Sequence, residues 1–222
     1  MKIVNILFLI PFALLASISC RSDIEDDITV HIDNSSQVKI EIVDFDNKPL
    51  DKGIISIYKS DYQFSQDSVG NNGIYEGRLL QGNYKCIVTA TKNKSLYSIE
   101  KIIQIIANNN SILKINPIEN SGSFNINVID KDTNAPLSNP ADFGIALLTY
   151  PESNKVDSKK ILLDNAQFIA DLDIESHTLI NEIPLYKAHT IFLFNKNTDE
   201  YFRYLISNIV QKGDIRDITV IK

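Results

Sequence analysis

Val38-Lys39-Ile40-Glu41-Ile42-Val43-Asp44 and Phe124-Asn125-Ile126-Asn127-Val128-Ile129-Asp130 are one pattern written twice. Each alternates apolar and polar residues, which turns one face of an extended strand to a core and the other to water. Each then enters a polar turn ending in Pro-Leu: Asp46-Asn47-Lys48-Pro49-Leu50 and Asp132-Thr133-Asn134-Ala135-Pro136-Leu137. A second apolar run follows, GIISIY at 53–58 and FGIALL at 143–148. At the far ends, 98–106 (SIEKIIQII) answers 201–210 (YFRYLISNIV), and 112–115 answers 218–221. Such self-similarity marks a repeated structural unit. Short strands separated by turn residues predict an all-β chain of two tandem β-sandwiches. The expected domains are 36–118 and 122–222, joined near Glu119-Asn120-Ser121-Gly122. The run 98–106 is also open to a helical reading, because a short apolar run does not fix its own period.

The first residues have the three parts of a signal peptide: Lys2, an apolar middle at 6–16 (ILFLIPFALLA), and the small residues Ser17 and Ser19 before Cys20. The apolar stretch is shorter than the roughly 20 residues of a spanning helix. Residues 16–20 (ASISC) resemble the lipobox of bacterial lipoproteins, although the strict pattern has Leu where Ser17 stands. That resemblance implies a signal peptide over 1–19 and lipidation of Cys20 with palmitate-type chains, hence attachment to a membrane. Residues 20–35 then read as an acidic tether, too charged to bury a core. Arg21-Ser22-Asp23-Ile24-Glu25-Asp26-Asp27 is similar to the export signal of Bacteroidetes surface lipoproteins. This implies the outer membrane and the cell surface.

A net charge of −6 with no Lys/Arg cluster argues against nucleic acid and against electrostatic adhesion to anionic lipid. With Cys20 acylated, Cys86 has no intramolecular partner; it shares a strand phase with Tyr84, Val88 and Ala90 and reads as a core thiol. His31, His177 and His189 lack metal-ligand spacing, and neither a nucleophile elbow nor a phosphate-binding glycine loop is present. Asp44 and Asp130 suit turn chemistry better than calcium ligation, which adds a bidentate Glu and a glycine. No cofactor, metal or catalysis is expected. Candidate contact residues are Tyr62 and Phe64, in an expected surface loop at 59–65, with Tyr150 and Tyr186 in similar settings. These rings are suited either to contacting a sugar or a partner protein or to capping the ends of their own sandwiches.

The first repeat is similar to the carboxypeptidase regulatory-like, transthyretin-like (Ig-like) sandwich family. Its order is a strand ending in Val-Asp, Pro49-Leu50, a strand with Gly53, Gly73-Ile74-Tyr75, then Leu80-Gln81-Gly82-Asn83-Tyr84. The second repeat lacks the Gly-x-Tyr element and has Ile183-Pro184-Leu185-Tyr186-Lys187-Ala188-His189 near its place. Related collagen-adhesin B-type domains carry a Lys–Asn isopeptide bond, but the required lysine position holds Ile42 and Val128, and Lys39 falls on the outward phase. The resemblance implies a non-catalytic lipoprotein, acting as a binding or accessory module with a protein or glycan partner in the envelope. The alternative it implies is a structural subunit of a fimbria-like assembly, because type V pilins are lipoprotein precursors with two such domains.

Overall fold

The computed structural model describes residues 34–69 and 72–222; Cys20, the leader and most of the tether lie outside the described residues. The first sandwich comprises β1 (Ser35–Ile42), β2 (Asp51–Lys59), β3 (Tyr62–Val69), β4 (Ile74–Leu80), β5 (Gly82–Lys92), β6 (Ser95–Ile105) and β7 (Ser111–Ile115). A 3₁₀ turn at Pro117–Glu119 leads to β8 (Ser121–Ile129), and another at Pro140–Asp142 to β9 (Phe143–Thr149). Two short helices follow, α1 (Tyr150–Ser153) and α2 (Lys159–Asn165). The chain ends with β10 (Phe168–Asp171), β11 (His177–Pro184), β12 (His189–Asn195), β13 (Tyr201–Ser207) and β14 (Ile215–Ile221).

The expected all-β sandwich architecture is present, and both halves are wired alike. A three-stranded sheet β4-β1-β7 faces a four-stranded sheet β3-β2-β5-β6; the second half repeats this as β11-β8-β14 and β10-β9-β12-β13. In each, the opening strand is antiparallel to one neighbour and parallel to the other, β1 with β4 and β7, β8 with β11 and β14. Val38, Ile40 and Ile42 of β1 are buried, as are Phe124, Ile126 and Val128 of β8. The two principal cores share no residue: one runs from Val38 to Ile118, the other from Phe124 to Val220. Residues 98–106 belong mainly to β6, so the strand reading of that run holds and the helical one does not.

The opening turns also match. Asp44 Oδ1 accepts from the backbone N–H of Asp46 (2.8 Å) and Lys48 (2.9 Å), and Asp130 Oδ1 from those of Asp132 and Thr133 (both 3.0 Å). Hydrogen bonding, led by the N–H of Lys48 and of Thr133 respectively, holds each carboxyl below the ordinary range. Asn47 and Asn134 occupy the left-handed position in each turn, which asparagine tolerates. Gly73 has φ +61°, and a Cβ there would stand 2.6 Å from Ile42 O, so glycine is required. Tyr84, Cys86, Val88 and Ala90 are fully buried on β5, and burial pushes the Cys86 thiol up to about 11, which makes it inert. Lys39 points outward and pairs with Glu41 at 2.9 Å, while the Asn116 side chain caps the 3₁₀ turn through Ile118 N. Neither side chain is arranged for a Lys–Asn crosslink.

The halves differ in their loops. β2 and β3 are joined by Ser60 and Asp61 alone, whereas residues 150–167 separate β9 from β10. That insertion carries α2, which the sequence reading missed. Ser158 caps α2 by accepting from Ile161 N, and Leu162 and Ala166 close over Ala146, Leu148, Phe192 and Phe194. This third layer is why every residue of the FGIALL run is buried: Ile145 and Leu147 face the sandwich core, while Ala146 and Leu148 face α2. The second difference lies between the next strands. Gln81 alone links β4 to β5, but residues 185–188 link β11 to β12.

Candidate functional site

Both departures of the second sandwich arrive at one place. A cleft of about 460 Å³ lies at the seam between the halves, walled by Tyr150, Pro151 and Gln167 from the insertion and by Pro184, Tyr186 and Lys187 from the 185–188 loop region. The opposing wall is the β5–β6 turn of the first sandwich, with Lys94, Ser95 and Leu96. A smaller groove of about 310 Å³ lies beside it along β6, sharing Leu96, Pro184, Tyr186 and Lys187.

The walls are held by backbone-directed contacts. Asn93 and Lys94 both have positive φ and close a two-residue turn between β5 and β6. Lys94 Nζ donates to Asp164 O at 2.6 Å, and Gln167 Nε2 donates to Lys94 O at 3.3 Å. Gln167 Oε1 accepts from Thr149 N at 2.8 Å, so this side chain is a brace with little left to offer a ligand. Tyr150 N donates to Ala188 O at 2.8 Å, and Tyr186 N to Ile209 O at 2.8 Å. The seam is further tied by Tyr97, whose hydroxyl donates to Glu182 O at 2.8 Å, and by the Lys92–Glu182 pair at 3.0 Å. Glu182 sits at a register shift in β11 with φ +60°. Glu119, in the linker, binds Lys101 (3.2 Å) and Lys212 (3.1 Å), one from each half. Burial works against the Glu119 charge, but the hydrogen bonds from the two lysines outweigh it and hold the carboxyl below its usual range.

Two rings stand free in this braced frame. Tyr186 is 73% exposed although its backbone has φ +57°, a conformation that disfavours a bulky side chain by about 1–2 kcal/mol. Tyr150 is 45% exposed, and Leu96 opposite is 48% exposed. In the cleft Glu152 pairs with Lys155 at 2.9 Å, whereas Lys94 bonds only a neutral carbonyl and Lys187 has no ion-pair partner among the described residues, so the two lysine charges are uncompensated. The Ser95 hydroxyl is buried beside that of Tyr97.

His189, the first residue of β12, is fully buried behind the loop, with its ring edge-on to Phe124 and Phe168 (centroids 6.2 and 6.0 Å). Its Nδ1 faces Lys187 O at 3.0 Å, an atom that only accepts, so this nitrogen carries the proton. Nε2 has no partner among the described residues. Burial pulls the imidazole down to about 4; the neighbouring Lys187 charge adds to the fall and the Lys187 carbonyl opposes it. His189 is therefore a neutral structural residue at neutral pH.

Of the four aromatic candidates, the structure brings Tyr150 and Tyr186 to one cleft and leaves Tyr62 and Phe64 out of it. The expected loop at 59–65 is instead the β2–β3 hairpin, with Tyr62 and Phe64 on edge strand β3, and Tyr150 opens α1. Phe64 packs edge-on against Tyr84 at 6.2 Å. Leu96, Ser95, Lys94 and Gln167 were not legible as site residues; the only local signal was the Asn93-Lys94 turn between two alternating runs. Among the described residues, no group of His, Cys, Asp and Glu is placed to hold a metal ion, and no helix is long and apolar enough to cross a membrane.

No protein-family model and no curated protein matches the chain. Solved structures with which it aligns include the Bacillus anthracis TIE protein (13% identity, TM-score 0.41, 85% of this chain and 34% of that one). A streptococcal ancillary pilin aligns at 13% identity and TM-score 0.34, over 85% of this chain and 62% of that one. A candidate polysaccharide-binding protein from Bacteroides thetaiotaomicron aligns at 10% identity and TM-score 0.36, over 84% and 90%. The chain thus spans about a third of the first of these proteins and under two thirds of the second.

Proposed function

We propose that this protein is a non-catalytic binding module displayed at the cell surface, anchored through a lipidated Cys20, with the seam cleft as its ligand site. The observation that carries the reading is convergence. The two segments by which the second sandwich departs from the first, 150–167 and 185–188, meet at one seam and present two exposed tyrosines there. Loops on a rigid scaffold are where binding residues concentrate, and a strained backbone that keeps a ring in solvent gives no return in packing. The sequence of the leader supports the anchor. Metabolic labelling with palmitate, combined with protease shaving of intact cells, tests the display: label and shaving are expected for the parent, and no label for Cys20→Ala. Equal labelling of Cys20→Ala would overturn the anchor.

A structural role in a fimbria-like assembly is the second reading, and edge strand β13 favours it, since Phe202, Leu205 and Ile206 stand exposed there. A ladder of polymers on unboiled gels is its expected signature, and a clean monomer contradicts it.

A further inference from the structure

Resting on the reading of Cys20 as a lipid anchor, we infer that the end of the first sandwich away from the seam seats on the bilayer that holds the anchor, through Tyr62, Phe64 and Ile102 with Lys59 and Lys85. The place where the chain enters the sandwich carries the argument. Gln81 N donates to Asn34 O at 2.6 Å and Asn108 N to Ser35 O at 3.4 Å, so the chain arrives beside the β4–β5 link and the end of β6. Gly82 opens β5 at this end and Lys92 closes it at the seam, roughly 33 Å of strand away. Asn34 stands fourteen residues after Cys20, a reach of about 50 Å at full extension. A tether of that length holds this end near the bilayer at high effective concentration, so a weak contact is enough to seat it.

The side chains gathered there suit a bilayer surface. Tyr62 is 76% exposed, Ile102 70% and Phe64 49%, and Leu80 and Ile106 stand half-exposed beside the entering chain. Apolar side chains exposed together mark a surface that is covered in use. Ile102 shares a depression of about 360 Å³ with Lys85, Asn83 and the Ser60-Asp61 hairpin tip. Lys85 Nζ lies 5.1 Å from the centre of the Tyr58 ring and Lys59 Nζ 5.7 Å from that of Tyr84; neither lysine has a carboxylate partner among the described residues. Rings and an isoleucine can enter the boundary between headgroups and acyl chains, while the lysine stems keep their charges at the level of the phosphates. The chain as a whole is acidic, so the seating is apolar first and its charge is local. The bilayer is the partner with both properties that the tether itself brings to this end.

The test is dye contact in the anchored full chain, purified with its lipid and reconstituted into vesicles of phosphatidylcholine and phosphatidylglycerol. With Cys20 acylated and Cys86 buried, an introduced cysteine is the one reactive thiol. An environment-sensitive dye on Tyr62→Cys or Ile102→Cys should be quenched by spin-labelled lipid several-fold more than one on Ile174→Cys. Ile174 is 90% exposed and lies at the other end of β8 from the seam, near Ser176, whose carbonyl accepts from Val128 N. Phe64→Ser should lower the quenching at 62 and 102. Lys59→Gln and Lys85→Gln should each lower the ratio of seated to unseated chain about fivefold on these vesicles, and leave it unchanged on phosphatidylcholine alone. Flotation with the vesicles reports the anchor separately. Protein that floats with weak quenching at all three positions overturns the seating and leaves the anchor standing. Equal, strong quenching at all three positions also overturns it, because no end is then preferred. Protein that does not float overturns the anchor reading, and the seating falls with it.

Discussion

The two sandwiches share one wiring diagram and differ in what they carry on it. Strand pairing, opening turn and buried face repeat between β1–β7 and β8–β14. The first sandwich joins its strands by minimal turns, Ser60-Asp61 and Gln81, and leaves Tyr62 and Phe64 on an edge strand. The second spends 150–167 and 185–188 on the corresponding connections, and both go to the seam. The frame is the part that physics repeats, because alternation and turn chemistry are enough to specify it. The extra segments are the part that needs a use.

The comparison can be broken first at the frame. Ile40 and Ile126 occupy equivalent, fully buried sites, so Ile40→Ala and Ile126→Ala should each lower unfolding free energy by about 2–5 kcal/mol in urea titration. A near-neutral result at either site would mean that the repeated pattern does not mark equivalent cores.

A smaller effect separates the halves by pH. His189 is the buried histidine of the second core, and its folded pKa of about 4 lies below the ordinary 6.5. The neutral form is favoured by the fold, so its stability is complete above pH 6.5 and is lost as pH falls toward 4. Below that both states are protonated and the loss stops growing. Over this window the shift corresponds to about 3 kcal/mol. Thermal melts from pH 7 to 4.5 should fall less steeply for His189→Phe than for the parent; parallel curves would remove His189 from the account.

Smaller still is the seam. Tyr97→Phe deletes the hydrogen bond to Glu182 O and should cost about 1 kcal/mol, with faster amide exchange around Glu182. Unchanged exchange would show that the bond does not brace the two halves. At the low end, Tyr186→Gly relieves a left-handed tyrosine and should melt no lower than the parent. A clear fall in Tm would mean that the ring packs where the structure shows it exposed.

The frame was legible in the sequence because Val38–Ile42 and Phe124–Val128 alternate without interruption and end in the same Asp turn. Cys86 was placed by phase alone for the same reason. Helix α2 was not, since its apolar residues are few and its only strong mark is Ser158 ahead of Ile161 and Leu162. The FGIALL run is unbroken apolar sequence, the pattern of a strand covered on both faces, and the structure supplies the second cover as α2. Tyr62 and Phe64 read as loop residues because a strand exposed on both faces has no apolar phase to betray it. Tyr150 and Tyr186 were individually visible, but their meeting depends on Leu96 and Gln167, distant in sequence and ordinary in type.

The central claim is that function lies where the second sandwich departs from the first. It is tested most directly by comparing two double variants, Tyr150→Ala/Tyr186→Ala and Tyr62→Ala/Phe64→Ala, for retardation in native gels containing polysaccharide (β-glucan, mannan, xylan, arabinan or polygalacturonate). The account predicts that the first variant loses retardation and the second keeps it. Loss in the second with retention in the first would contradict it.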